Sequence, residues 1–220
     1  KEGAICYMGA RNLEVAEKTA NKLNEEGCRV KCVYNDASKP ESFIRMIEEV
    51  IEKEGHLDVL VNNFGTSNPQ KDLDLAHTDI ADYLDIITLN LRSVFIASQE
   101  AAKHMAVHGG GSIINISSIG GVVPDISQIA YGTSKAAINY LTKLIAVQEA
   151  KHHIRCNAVL PGMTATEAVE THLSDDFKNL YYDPDNCYSV PYTYGMVGII
   201  YNKTMVDEQD VKYQSWDLLF

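Results

Sequence analysis

Three residue types able to converge on one oxygen atom stand close together in "SSIGGVVPDISQIAYGTSKAAINYL", residues 117–141. Tyr131 and Lys135 are four positions apart, so on a helix both project from one face. An ammonium beside a phenol favours the phenolate, a form otherwise reached only near pH 10. Such a phenol could give a proton to a carbonyl oxygen or take one from an alcohol. Ser118, upstream of the tyrosine, would hydrogen-bond the same oxygen and fix its position. A hydride would have to come from a cofactor, because no side chain carries one. The spacing alone is a weak signal. With 12 tyrosines in 220 residues, chance supplies about one Tyr–Lys pair at this separation, so the surrounding elements must carry the argument.

Those elements alternate. "AICYM" (4–8) reads as a strand, and "LEVAEKTANKLNEEG" follows it as a helix with apolar positions at Leu13, Val15, Ala16, Ala20 and Leu23 and a C-cap at Gly27. "RVKCVYND" reads as the next strand, and "PESFIRMIEEVIEKEG" as a helix opened by Pro40 and closed by Gly55. "LDVLVNN" is a third strand, Ile80 to His108 a long helix, and "GSIINISS" a fourth strand. Tyr131 to about Lys151 forms a further helix and "IRCNAVLPG" a fifth strand. Apolar strands separated by helices require a parallel sheet covered on both faces, which predicts a doubly wound, Rossmann-like α/β fold. Ligands bind such sheets beyond the carboxyl ends of the strands. Those ends are Gly9-Ala10-Arg11, Asn35-Asp36, Asn62-Asn63-Phe64-Gly65, Ser117-Ser118 and Pro161-Gly162.

Composition narrows the function classes. A net charge of −11 with five dispersed arginines leaves no electrostatic footprint for nucleic acid. No window approaches the roughly 20 apolar residues of a membrane span, and the N-terminus has no secretory pattern. Five cysteines without a CxxC pair point to reduced thiols in a cytoplasm rather than to disulfides or zinc. The seven histidines show no metal-ligand spacing.

Taken in order, "NNFG", Asn90 in "TLNLRSVF", "INISS", "YGTSK" and "IRCNAVLPG" resemble the short-chain dehydrogenase/reductase family over residues 1–178. Within it, "NISSIGGVVPDISQIAYGTSKAAINYLT" is similar to clostridial 7α-hydroxysteroid dehydrogenases, which act on bile acids. The resemblance implies Ser118, Tyr131 and Lys135 as catalytic residues, with Asn90 completing a proton relay. It implies that Asn62, Asn63 and Gly65 shape the cofactor cleft, although Phe64 stands where the family usually has alanine. Pro161, Gly162 and Thr166 fall where the family contacts nicotinamide, and Tyr131 and Lys135 contact the cofactor as well. A small steroid or other secondary alcohol or ketone is the implied substrate, and a homotetramer built through the two long helices the implied assembly. Asp36 would contact adenine by the same analogy.

Cofactor choice turns on Ala10 and Arg11. An acidic residue at that strand end would accept from the adenosine ribose, whereas arginine can pair with a 2′-phosphate. NADP is therefore expected, with NAD the second choice. Two departures stand out. The chain opens at "KEGA" without the family's first strand and glycine-rich turn. Residues 179–220 hold seven of the twelve tyrosines and the only tryptophan, and resemble a segment of spermidine/putrescine-binding periplasmic proteins. A chimera joined near Phe177-Lys178-Asn179, inactive as it stands, is the corresponding expectation. A polyamine-binding module or a noncatalytic fragment is the alternative.

Overall fold

A computed structural model of the chain describes residues 3–162 and 198–200. Thr166, the junction at 177–179 and the rest of the tail lie outside the described residues. Five βα-type strands and four long helices follow the expected order: β1 (Cys6–Ala10), α1 (Leu13–Glu25), β2 (Val30–Tyr34), α2 (Pro40–Glu54), β3 (Val59–Asn62), α3 (Ile80–Val107), β4 (Gly111–Ile116), α4 (Ile129–Glu149) and β5 (Ile154–Leu160). Two 3₁₀ turns (Ile119–Gly121 and Ala150–His152) and a three-residue strand, β6 (Gly198–Ile200), complete the described elements.

The helix boundaries have local causes. Asn12 caps α1 by accepting from the Val15 amide at 3.2 Å, and Asp79 caps α3 by accepting from Ala81 at 2.8 Å, each satisfying an otherwise free first-turn donor. Pro40 opens α2, and Gly55 closes it in the left-handed conformation at φ 79°. β1 starts two residues later than the sequence suggests, because its parallel pairing with β2 runs from Cys6 opposite Val30 to Ala10 opposite Tyr34.

All pairings among β1–β5 are parallel, as a doubly wound α/β sheet requires. The strands nevertheless form two sheets, β1-β2 and β3-β4-β5-β6. Among the described residues β1 pairs only with β2, and β3 only with β4, so each keeps one unpaired edge. β6 adds antiparallel to β5. The main core lies between the larger sheet and helices α2, α3 and α4, where Phe43, Ile47, Ala101, Met105, Ile113 and Ile154 are buried. Burying each large apolar side chain contributes about 1.5–3 kcal/mol.

Polar groups are also buried in that sheet. The Asn62 amide donates to Ser98 Oγ at 3.0 Å and to Asn115 Oδ1 at 2.8 Å, and the Asn115 amide donates to Thr142 Oγ1 at 2.9 Å. This network ties β3 and β4 to α3 and α4. Truncating one member would strand its partners without water. No helix among the described residues is long and apolar enough to cross a membrane.

Candidate active site

β4 delivers two adjacent serines to different tasks. Ser117 is buried, and its hydroxyl donates to the Lys135 carbonyl at 3.0 Å, joining the strand end to α4. Ser118 is half-buried and begins a single 3₁₀ turn, where its Oγ accepts from the Gly120 amide at 3.1 Å. Accepting there leaves the Ser118 hydroxyl proton free to donate to a substrate oxygen. The turn lies hard against α4. A Cβ on Gly121 would meet the Lys135 carbonyl carbon at 2.7 Å and the Ala136 nitrogen at 2.8 Å, so only glycine fits.

Lys135 is 3% exposed, and its Nζ donates to the Ile116 carbonyl at 2.9 Å. That Nζ lies 5.6 Å from the centre of the Tyr131 ring. Burial pushes the ammonium down to about 8 from its usual 10.5, because a low-dielectric surrounding disfavours the charged form. Gly65 explains how the cation is accommodated: a Cβ there would sit 3.0 Å from Nζ. Thus the Tyr131–Lys135 spacing becomes a stacked pair, and the "NNFG" glycine is brought to the same cation.

Asn90 is fully buried. Its side chain accepts from the Thr66 amide at 2.8 Å and donates to the Thr66 carbonyl at 2.9 Å. It also donates to Ser134 Oγ at 2.9 Å, and Ser134 donates to the Tyr131 carbonyl at 2.7 Å. Asn90 is thereby tied to the tyrosine's backbone through Ser134. Asn62 belongs to the interior network, whereas Asn63 is exposed. The Pro161 carbonyl accepts from Ile119 at 2.9 Å, which sets Pro161 and Gly162 beside the Ser118 turn.

The smaller sheet supplies the other group of residues. Arg11 is exposed at the end of β1, with no side-chain partner among the described residues. Asp36 follows β2, and its Oδ1 accepts from both the Ser38 hydroxyl (2.7 Å) and amide (3.0 Å). These hydrogen bonds hold its carboxyl below the usual range. An exposed cation without a side-chain partner among the described residues fits the phosphate of an anionic dinucleotide. Among the described residues no group of three or more His, Cys, Asp or Glu side chains could hold a metal.

Asp72 was not visible as a site residue in the sequence. It is fully buried, and its carboxylate accepts from the Ala130 amide at 2.8 Å and the Tyr131 amide at 2.9 Å. Ser134 and Gly121 were likewise missed. A buried aspartate remote in sequence from the helix it caps leaves no local pattern, although glycine pairs after a strand could have flagged the close approach.

A family profile described as short chain dehydrogenase matches residues 1–176. The chain is 45% identical over 179 residues to a 7alpha-hydroxysteroid dehydrogenase of Clostridium sardiniense, covering 81% of this chain and 68% of that protein. It is 46% identical over 178 residues to a 7alpha-hydroxysteroid dehydrogenase of Paraclostridium sordellii, covering 81% and 67% respectively. A crystal structure of gluconate 5-dehydrogenase from Burkholderia cenocepacia in complex with NADP and tartrate superposes with a TM-score of 0.72 at 29% identity, over 79% of this chain and 67% of that one.

Proposed function

Because the chain belongs to the short-chain dehydrogenase/reductase family of oxidoreductases, we propose that it interconverts a secondary alcohol and a ketone on a hydroxysteroid of the bile-acid type, using NADP. The observation that carries this reading is the Lys135 ammonium, buried beneath the Tyr131 ring. When bound, the nicotinamide cofactor supplies or takes up the hydride. Tyr131 holds or releases the proton at the substrate oxygen, and Ser118 donates to that oxygen through its free hydroxyl proton. Lys135 stabilises the phenolate while it remains an ammonium, so support weakens as the pH rises above about 8.

Three exposed apolar residues, Val122, Val123 and Ile126, lie in the segment between Ser118 and α4. Leu75 is also exposed, on a segment joined to the start of α4 by the Gln128–Asp72 and Ile129–Leu73 backbone hydrogen bonds. An apolar rim of this kind suits a steroid face better than a polyol. Arg11, exposed and unpartnered among the described residues, supports NADP over NAD. Self-association through α3 and α4 is part of the same proposal. A groove of about 520 Å³ between them is lined by Ile87, Leu91, Phe95, Tyr140, Leu141 and Leu144, with Phe95 and Tyr140 largely exposed.

The test is oxidation of a 7α-hydroxy bile acid with NADP, followed at the nicotinamide absorbance, alongside NADPH titration by fluorescence. Tyr131→Phe should lower turnover by about 10²–10⁴-fold with cofactor affinity nearly unchanged. Saturable NADPH binding without bile-acid turnover would overturn the substrate, turnover surviving in Tyr131→Phe would overturn the proton donor, and spermidine binding without NADPH binding would overturn both.

A further inference from the structure

We propose that Asp72 is a positioning residue for Tyr131, a buried carboxylate that sets the start of the catalytic helix from outside that helix. The proposal rests on Tyr131 being the proton donor, but its structural basis is independent of turnover. An α-helix begins with four amide groups that lack internal partners, and a capping side chain normally satisfies one or two of them. α1 and α3 follow this rule with their own Asn12 and Asp79. α4 does not. Its cap position is Gln128, in the left-handed conformation at φ 58°, and the Gln128 side chain makes no capping hydrogen bond.

Asp72 fills the role from the segment between β3 and α3. Both of its carboxylate oxygens are used, Oδ1 by the Ala130 amide and Oδ2 by the Tyr131 amide. Its backbone carbonyl accepts from the Gln128 amide at 3.1 Å, and the Leu73 carbonyl accepts from Ile129 at 3.2 Å. Four consecutive amides, 128–131, therefore bond to residues 72 and 73. The segment is itself held: the Asp72 amide donates to the Asn68 carbonyl at 2.7 Å, Leu73 donates to Thr78 Oγ1 at 2.9 Å, and Lys71 pairs with Asp82 of α3 at 2.8 Å.

Tyr131 is thus gripped at both backbone groups. Asp72 takes its amide, and Ser134, oriented by Asn90, takes its carbonyl. Two hydrogen bonds to an ionised, water-excluded carboxylate are stronger and more directional than a neutral cap. The negative charge also lies at the positive end of the α4 dipole. Small displacements of a reacting group cost large factors in rate, so a carboxylate that fixes the Tyr131 backbone acts on the chemistry without touching substrate.

Asp72→Asn keeps the shape but has only one acceptor oxygen for two amides. The experiment compares it with Asp79→Asn, which weakens a cap on α3 away from the tyrosine. Expected for Asp72→Asn is a fall in kcat of about 10–100-fold with the cofactor KM changed less than twofold. The Lys135 ammonium, followed by NMR, should also titrate above about 8, because the released ring no longer covers Nζ. Asp79→Asn should move neither readout.

If Asp72→Asn lowers only the melting temperature, leaving kcat and the Lys135 titration in place, Asp72 is a helix stabiliser and the proposal fails. If the unaltered chain shows no turnover, the dehydrogenase reading fails while the Lys135 titration still decides the role of Asp72. Should Asp72→Asn not fold, amide exchange in the unaltered chain decides. Protection of Ala130 and Tyr131 equal to the interior of α4 supports the grip, and exchange at the free-amide rate overturns it.

Discussion

β4 and β5 are buried along almost their whole lengths, whereas β1 has no buried residue and β2 has one, Val33. The two groups of site residues divide along the same line. Ser118, Tyr131, Lys135 and Asn90 stand on or beside the larger sheet and are held by buried or part-buried hydrogen bonds. Arg11 and Asp36 stand at the ends of the smaller one, where Arg11 is exposed without a side-chain partner among the described residues and Asp36 is held by its bonds to Ser38. Proton transfer needs atoms held within fractions of an ångström, while recognition of a mobile phosphate by a long cation tolerates more freedom. Burial has been concentrated where precision matters.

Truncation of one isoleucine in each region tests that division most severely. Ile113 of β4 is fully buried and surrounded by the main core, so Ile113→Ala should cost about 2–5 kcal/mol in urea unfolding. Ile5, beside β1, is 42% exposed, and Ile5→Ala should cost under about 1 kcal/mol. Equal losses would show that β1-β2 shares the stability of the larger sheet and would break the comparison.

The next test asks what precision costs. At pH 7 the buried Lys135 must be kept charged although its ammonium has been pushed down to about 8. The unfolded chain holds this proton up to about 10.5, the folded chain only to about 8. The penalty is therefore complete below about 8 and disappears as the pH rises through 10.5. Lys135→Met should stabilise the fold at pH 7 by about 1–3 kcal/mol, less the lost bond to Ile116, while abolishing turnover. A variant less stable than the parent at pH 7 would mean that the ammonium's hydrogen bonds outweigh its desolvation.

On the exposed side, Arg11→Ala should weaken NADP binding by about tenfold and leave NAD binding nearly unchanged. Measured by fluorescence titration at two ionic strengths, the NADP loss should shrink in high salt. Equal weakening of both cofactors would place the Arg11 contact away from the 2′-phosphate.

How much of this was legible in the sequence follows from how local each cause is. Pro40 and Gly55 bound α2 because proline and glycine act on their own backbone, and the isoleucines of β4 between Gly111 and Ser117 marked a strand. The order of strands and helices, and hence the α/β class, could be read the same way. The split into two sheets could not, because pairing depends on which edges meet. Tyr131 and Lys135 were visible from their place at a helix start after a strand end rather than from their spacing alone, but the burial that depresses the lysine was not. Asp72 was hidden for the same reason as Ser134: each acts through backbone groups, and a hydrogen bond across 59 residues has no sequence periodicity.

The smallest effect is expected at the base of the buried half, away from the chemistry. His104, in the last turn of α3, stacks on His108 with ring centroids 3.9 Å apart, and its Nε2 is buried without a hydrogen-bond partner among the described residues. Burial holds its pKa below the usual 6.5, and the charges of His108 and His56 act in the same direction. His56 is itself paired with Asp58 at 3.2 Å, which draws part of that repulsion away. The unfolded chain takes up a proton near 6.5 that folded His104 resists, so its contribution is intact above about 6.5 and is lost as the pH falls toward the depressed folded value. Between pH 7.5 and 5.5 the His104→Gln variant should lose less stability than the parent, by under about 1 kcal/mol in paired urea titrations. An identical loss in both would show that the stacked pair protonates without cost. The acid sensitivity of the buried half would then have to originate at its carboxylates.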